Sequence, residues 1–173
     1  FKKLELSGQA TVKADISSPN PLSLLNLKVG KIVSVNNHPN AEKLYVLSVN
    51  LGFEKRQLVA GMKPYYSPQE LFGKNIIVLA NLKHAVIRGV ESQGMLLAAD
   101  KNGTVKVLEA PKSSSGDPVF FEGISPVGAE ITIQQFSEAK LTTNNKGVVA
   151  LGKQLKTKHE TIVVDIEDNA SIR

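Results

Sequence analysis

Residues 75–99 read NIIVLANLKHAVIRGVESQGMLLAA, and the interpretation of the whole chain rests on this stretch. It contains two short apolar runs, Ile76–Leu79 and Met95–Ala99, that are bounded as strands usually are. Polar side chains lie between and beside these runs, where an ordinary core would carry none: Asn81, Lys83, His84, Arg88, Ser92 and Gln93. Buried strands with hydrogen-bond donors and cations at their ends are typical of a binding face.

The residues on either side of this stretch predict a series of short strands. The predicted strands are Leu25–Val35, Leu44–Leu51, Gln57–Ala60, Asn75–Leu82, Gly94–Ala99 and Val105–Leu108. One short helix is predicted over Pro64–Leu71, because Ser67-Pro68-Gln69-Glu70 is a favourable helix start. Five or six short strands with one helix between the third and the fourth is the order of an OB-fold barrel. The pattern alone supports a small β-barrel or a sandwich.

The first predicted strand contains one irregularity. Its apolar residues share one parity from Leu25 to Val35, and Lys31 breaks that parity directly after Gly30. A bulge at Gly30 would let Lys31 face outward, whereas a regular strand would point it inward. The pattern leaves both arrangements open.

The polar connection Pro111–Gly116 is the best internal boundary of the chain. The strands predicted after it are Pro118–Phe121, Glu130–Gln134, Gly147–Leu151 and Thr161–Ile166. A part of this size barely buries a core alone, so it is expected to pack against the barrel. We therefore expect a linker remnant at residues 1–21, a barrel at 22–111 and a mainly-β C-terminal extension at 112–173.

The charge is unevenly distributed along the chain. The net charge is +5; residues 1–111 hold 14 Lys and Arg against 8 Asp and Glu, and residues 112–173 hold 7 against 8. A basic excess confined to one part favours a polyanionic partner such as nucleic acid, although it also serves solubility. No apolar run approaches the ~20 residues needed to cross a bilayer, so no membrane partner is expected.

The sequence offers no candidate for catalysis. It contains no cysteine, and its three histidines, His38, His84 and His159, lack metal-ligand spacing. Phosphate-binding Walker loops, nucleophile elbows and zinc-protease motifs are also missing from the sequence. We therefore predict no catalytic residue, no metal and no cofactor.

Several blocks match one known family in order and spacing: LKVGKI at Leu27–Ile32, HPNAEKLYV at His38–Val46, NLK at Asn81–Lys83 and RGVESQGMLLA at Arg88–Ala98. The chain resembles the tRNA-binding domain family, which includes the endothelial monocyte-activating polypeptide, bacterial tRNA-binding proteins and appendices of some aminoacyl-tRNA synthetases. The resemblance starts near Leu24 and extends to the C-terminus. It implies an all-β fold, a five-stranded OB-fold barrel with a short helix between strands three and four, and a small extension packed on it.

The resemblance implies a set of tRNA-binding residues: Lys31, Lys55, Arg56, Asn81, Lys83, Arg88, Ser92, Gln93 and Met95. In this interpretation Lys83 contacts a phosphate and Asn81 hydrogen-bonds to sugar, phosphate or base; the alternative is a solvated strand end. Arg88 clamps a phosphate or stacks on a base, or else forms a salt bridge to Glu91.

The remaining members of the set have comparable alternatives. Ser92 donates to a phosphate and Gln93 reads a base edge, whereas Met95 offers a polarizable contact for a base or packs in the core. Lys31, Lys55 and Arg56 widen the basic surface or are ordinary solvated charges. Because residues 75–99 contain no aromatic side chain, we expect recognition of a folded RNA through phosphates and shape.

The function implied by the resemblance is non-catalytic, structure-selective tRNA binding that delivers tRNA to a partner synthetase in the cytoplasm. The partners expected are tRNA and a methionyl- or glutamyl-tRNA synthetase, held through a region upstream of Phe1. The chain is expected to be monomeric, with its extension in the place of the second subunit of dimeric relatives. The alternatives are a C-terminal appendix of a synthetase, and an extracellular cytokine-like polypeptide released by proteolysis, whose active segment corresponds to Leu27–Ser34.

Overall fold

The structure is a computed structural model that describes residues 21–124 and 129–173. The predicted linker at residues 1–21 lies outside these ranges except for Pro21, which begins a short 3₁₀ helix, Pro21–Leu24. No helix within the described ranges is both long enough and apolar enough to span a membrane.

The first part of the chain is built from short antiparallel strands and one helix. Its strands are β1 (Leu27–Asn37), β2 (Tyr45–Asn50), β3 (Lys55–Ala60), β4 (Asn75–Leu79), β5 (Ala85–Ile87), β6 (Val90–Ser92), β7 (Met95–Leu96), β8 (Ala98–Lys101) and β9 (Thr104–Val107). Helix α1 (Pro68–Leu71) lies between β3 and β4. The prediction of an all-β fold with one helix at this point is confirmed, and the predicted fifth strand is divided into β7 and β8.

Helix α1 forms where the sequence predicts it because Ser67 caps it. The Ser67 hydroxyl accepts a hydrogen bond from the Glu70 N–H (3.2 Å), and the Glu70 carboxylate accepts one from the Ser67 N–H (2.7 Å). The pKa of Glu70 is lowered, mainly by the hydrogen bond from the Ser67 backbone and secondly by the hydrogen bond with the Ser67 side chain. A charged Glu70 thus holds the start of the helix.

Strand β4 is buried on both faces and separates two cores. Ile76 and Val78 belong to the barrel interior, whereas Ile77 and Leu79 belong to a second core on the outer face of the barrel. All four side chains are fully buried, which explains their uninterrupted apolar run. Side chains from the C-terminal part cover the outer face: Val119, Phe121, Val148, Leu155 and Ile162.

Strand β1 also contributes one face to the barrel core and the other to the second core, and this determines which way Lys31 points. Leu27 and Val29 pack in the second core, and Ile32 packs in the barrel core. The pairing of β1 with β4 is regular from Leu27 to Lys31, and the irregularity lies later, between Ile32 and Ser34. Lys31 shares the outer face with Leu27 and Val29 and is exposed. Neither of the two arrangements that the sequence left open is found: the strand is regular at Gly30, and Lys31 nevertheless faces outward, because its face of β1 is covered at Leu27 and Val29 but not at Lys31.

The C-terminal part continues the sheet around the barrel. Its elements are β10 (Pro118–Phe121), α2 (Ile133–Glu138), β11 (Thr142–Asn144), β12 (Gly147–Ala150), β13 (Lys153–Lys156) and β14 (Ser171–Ile172). The strand order is β3-β2-β1-β10-β13-β12-β11-β14-β8-β9, with β4 joining β1 to β7. The C-terminal part is therefore paired to barrel strands at both of its ends, through β10 to β1 and through β14 to β8.

Two strand predictions in this part were wrong. Over Glu130–Gln134 only Ile131 makes a bridge, to Leu82, and helix α2 begins instead. Thr132 and Gln135 form a capping box at the start of that helix, and this favours a helix over a strand from Ile133 onward. Over Thr161–Ile166 only isolated bridges form, at Thr161 and Val163. Ile133, the first residue of the helix that replaces the predicted strand, is 54% exposed.

Candidate nucleic-acid interface

Arg88 lies at the tip of the β5–β6 hairpin. It and Gly89 form the two-residue turn, with φ angles of 54° and 91°. Positive φ at both positions is typical of a type I′ turn, which matches the twist of its strands. The side chain of Arg88 is exposed, and its guanidinium donates to the carbonyl of Asn40 (3.2 Å). The predicted alternative partner, Glu91, instead faces His84 at 3.9 Å.

The His38 turn holds this hairpin to the barrel. The imidazole of His38 is buried, and its Nδ1 accepts a hydrogen bond from the Asn40 N–H (2.9 Å). The other ring nitrogen, Nε2, therefore carries the proton and donates to the carbonyl of Ile87 (2.9 Å). The Asn40 amide adds a bond to the carbonyl of Arg88 (3.2 Å). These hydrogen bonds fix the backbone position of Arg88 relative to the barrel.

Ser92 and Gln93 tie the open edge of β3 to the β6–β7 turn. The Ser92 hydroxyl is buried; it accepts from the Val59 N–H (3.0 Å) and donates to the carbonyl of Gly94 (3.0 Å). The Gln93 side-chain oxygen accepts from the Gln57 N–H (2.9 Å). Both residues thus have a structural role in closing the barrel, and their contact with RNA stays a prediction.

Arg56 and Asn81 are also engaged within the protein. The guanidinium of Arg56 donates to the carbonyls of Ala80 and Gln93 and pairs with Glu54 (3.1 Å). The Asn81 amide accepts from the N–H of Asn26 (3.0 Å) and donates to the carbonyls of Leu24 and Ala129. Strand β4 ends at Leu79, short of the predicted Leu82, and the Asn81 side chain is therefore used in contacts within the protein.

The exposed predicted cations fall into separate places. Lys31 and Lys55 both lie opposite Asn50, near the β2–β3 turn. Phe53 in that turn is 67% exposed, and the ammonium of Lys28 lies 5.9 Å from the centre of its ring. Lys83 lines a groove together with Ala60, the last residue of β3, whereas Lys55 is the first residue of this six-residue strand, which is roughly 17 Å long at ~3.3 Å per residue.

Lys83 borders an open groove of about 690 Å³ at the mouth of the barrel. This barrel-mouth groove has a mainly apolar lining to which Met62, Tyr65, Leu82, Ile87, Met95 and Ile133 contribute. Polar side chains also border it: the ammonium of Lys83, the imidazole of His84, and Asp100 and Arg173, which form an ion pair. Of the predicted residues, the groove unites Lys83, Ser92 and Met95.

Sequence reasoning missed Met62, Tyr65 and Arg173 at this groove. Tyr65 precedes α1, far from residues 75–99 in the chain, and Arg173 reaches the groove because β14 pairs with β8. No local sequence pattern predicts that Tyr65 or Arg173 lies at this groove. Tyr65 supplies the aromatic side chain that residues 75–99 lack.

Comparison with known proteins shows the following similarities. Residues 27–117 match the model of a family described as "Putative tRNA binding domain". The methionine–tRNA ligase of Thermococcus kodakarensis is 53% identical over 100 residues, which are 58% of this chain and 14% of that protein. The chain thus spans about a seventh of the length of that relative.

Two solved structures share the architecture. The C-terminal domain of Plasmodium vivax p43 has a TM-score of 0.82 at 23% identity, covering 90% of this chain and 100% of that one. At that identity the likeness shows a common fold, which includes most of the C-terminal part described above. The MetRS-related protein of Pyrococcus horikoshii has a TM-score of 0.50 at 34% identity, covering 62% of this chain and 89% of that one.

Proposed function

This chain belongs to the tRNA-binding domain family, and from this we propose that it binds folded tRNA without catalysis and delivers it to a partner aminoacyl-tRNA synthetase. One observation carries the proposal. The family motif at Arg88–Ala98 forms a hydrogen-bonded frame with Arg88 exposed at the tip of its hairpin, and Lys83 is exposed at the barrel-mouth groove. Exposed cations on a rigid frame suit a phosphate backbone of defined shape.

The delivery role rests on the relatives. The name of the Thermococcus relative identifies it as a methionine–tRNA ligase, so a methionyl-tRNA synthetase is the first partner we propose, with glutamyl-tRNA synthetase as the second. A tRNA-binding module linked to an enzyme makes the second encounter intramolecular, at an effective concentration of order millimolar for a short linker. The same role suits either a separate cofactor or a synthetase appendix, and we propose the cytoplasm as its place of action.

The cytokine-like alternative is less well supported by the structure. Its candidate segment, Leu27–Ser34, is the first part of β1. Leu27, Val29 and Ile32 are at most 1% exposed, so they are hidden from a receptor while the chain is folded. We therefore keep tRNA binding as the proposal.

A gel-shift experiment tests the proposed function. Bulk tRNA, duplex DNA and single-stranded RNA are titrated with the full chain at two salt concentrations. We expect the tightest binding to tRNA, with affinity that falls steeply with salt because several phosphate contacts release counterions. Equal affinity for the three nucleic acids at both salt concentrations would reduce the proposal to non-specific binding of polyanions.

A further inference from the structure

We propose that the barrel-mouth groove binds one unpaired nucleotide of the tRNA, with the base against Tyr65 and Met95 and the phosphate at Lys83 and His84. This inference rests on the proposed function and adds a ligand subsite to it. The sequence predicted recognition by phosphates and shape alone, since residues 75–99 contain no aromatic side chain. The structure adds one, Tyr65, from another part of the chain.

The size and lining of the groove suit a nucleobase. Its volume of about 690 Å³ falls within the ~300–1,000 Å³ range of small-molecule sites. Tyr65 is 44% exposed and offers an aromatic ring on which a base can stack. Both methionines of the chain, Met62 and Met95, line the same groove, and their thioethers are polarizable and adapt to different ring shapes.

The charges around the groove favour a nucleotide over an apolar peptide. Lys83 and His84 adjoin the apolar lining, and both side chains are exposed. The acidic residue of the lining, Asp100, is paired with Arg173, so its negative charge is compensated. An apolar surface next to the exposed ammonium of Lys83 and the imidazole of His84 matches a base and its phosphate, whereas an apolar peptide has no anion to place there.

The frame around the groove is already ordered. Ser92 holds the carbonyl of Gly94, directly before Met95, and the N–H of Lys83 donates to the carbonyl of Ile131 (2.8 Å). The side chains of Met95 and Lys83 therefore project from a fixed backbone, which lowers the entropy cost of ordering them when a ligand binds. Bases that can enter are those not paired in the tRNA, because unpaired bases can be splayed out onto aromatic side chains.

The two methionines make the test direct. The full chain is labelled with ¹³C at the methionine methyl groups, which gives two NMR signals, both from the groove, assigned with Met62→Leu and Met95→Leu. Bulk tRNA, a short single-stranded oligoribonucleotide and a blunt RNA duplex of the same length are added in turn. We expect saturable upfield shifts with tRNA and with the single strand, caused by the ring current of the base, and little change with the duplex.

Two variants of exposed aromatic residues complete the test. Tyr65→Ala should abolish the shifts caused by the single strand and weaken tRNA binding several-fold, whereas Tyr65→Phe should retain most of both. Phe72→Ala removes another aromatic ring, 63% exposed and outside the groove lining, and should change neither.

Other outcomes separate this inference from the proposed function. Normal tRNA binding without movement of the two methyl signals would overturn the nucleotide subsite and leave tRNA binding intact. Shifts caused by an apolar peptide but not by RNA would assign the groove to a peptide instead. A wild-type chain that binds no tRNA at all would remove the proposed function, and the subsite with it.

Discussion

At the scale of single residues, Lys83 is the cation whose role is easiest to isolate. Its backbone is fixed by the bond to Ile131 and its side chain is exposed. We expect Lys83→Ala to weaken tRNA binding and to reduce the slope of log affinity against log salt by about one unit, as for one lost phosphate contact. The melting temperature should stay unchanged, because the removed ammonium is solvated.

The matched control for Lys83 is Lys153→Ala. Lys153 is also exposed, but it is the first residue of β13 in the C-terminal part, where the net charge is −1. It should leave affinity and salt slope as in the wild type. If Lys83→Ala lowers stability while tRNA affinity is retained, its assignment as a phosphate contact is wrong.

Ser92 is expected to matter for folding before it matters for RNA. Ser92→Ala removes the acceptor of the Val59 N–H and the donor to the Gly94 carbonyl at a site only 4% exposed. A buried polar group left without its partner costs about 1–3 kcal/mol. Urea unfolding measures this free energy of unfolding. Ser137→Ala, on the exposed side of α2, should change it by less than ~0.5 kcal/mol.

At the scale of elements, the β5–β6 hairpin combines a turn requirement with a charge, and two variants separate them. Arg88→Asn removes the cation but suits the positive φ of 54°, so it should weaken tRNA binding without lowering stability. Arg88→Val removes the same charge and adds a β-branched residue, which a positive φ disfavours more than it does arginine, so this variant should also be less stable than the wild type. Thermal melts and filter binding distinguish the two effects. Wild-type affinity and salt slope in Arg88→Asn would leave Arg88 as a turn residue only.

Strand β1 depends on Gly30 for a different reason, which is space. A Cβ at this position would lie 2.4 Å from Cγ1 of Val49 and 2.8 Å from Cδ2 of Leu51, inside the barrel. We expect Gly30→Ala to lower the free energy of unfolding by ~1–3 kcal/mol, as overpacked cores do. Gly61→Ala is the control, because its Cβ would meet only Leu44, at 3.7 Å. If both variants unfold at the same urea concentration, β1 can move to make room for the added methyl group, and the predicted overpacking at Gly30 is wrong.

At the scale of the whole molecule, the C-terminal part covers the outer face of the barrel. Ending the chain after Pro111 would uncover the second-core side chains of β1 and β4, among them Val29, Ile77 and Leu79. It would also remove β10 and β14, which pair with β1 and β8, and leave two strand edges open. The fragment 1–111 should therefore dimerise or aggregate, whereas the full chain should be monomeric.

Light scattering and thermal melting decide this prediction. We propose that the C-terminal part takes the place of a second subunit, so a dimer of the fragment would support the substitution directly. A fragment that is monomeric, soluble and as heat-stable as the full chain would mean that the two parts fold independently.

Local chemistry was enough to predict much of the molecule. Alternating apolar residues predicted β2, the Ser67–Glu70 cap predicted α1, and the motif at Arg88–Ala98 indicated the family. Each of these signals acts between residues a few positions apart, where hydrogen bonds and side-chain direction follow directly from the residue types. The basic excess of residues 1–111 was equally visible, since charge is a sum over the chain.

Long-range packing settled the rest. The pleat of a strand says which residues share a face, but which face is covered depends on side chains elsewhere, as Lys31 and Val29 show on one face of β1. Hydrogen-bond partners are equally remote: Ser92 bonds a backbone group 33 positions away, and Asn81 one 57 positions away. The identity of a polar residue in the sequence does not show whether its side chain faces solvent or forms hydrogen bonds that close the barrel. Only the tertiary contacts separated the framework residues Arg56, Asn81, Ser92 and Gln93 from the exposed Lys83, and brought Tyr65 to the groove.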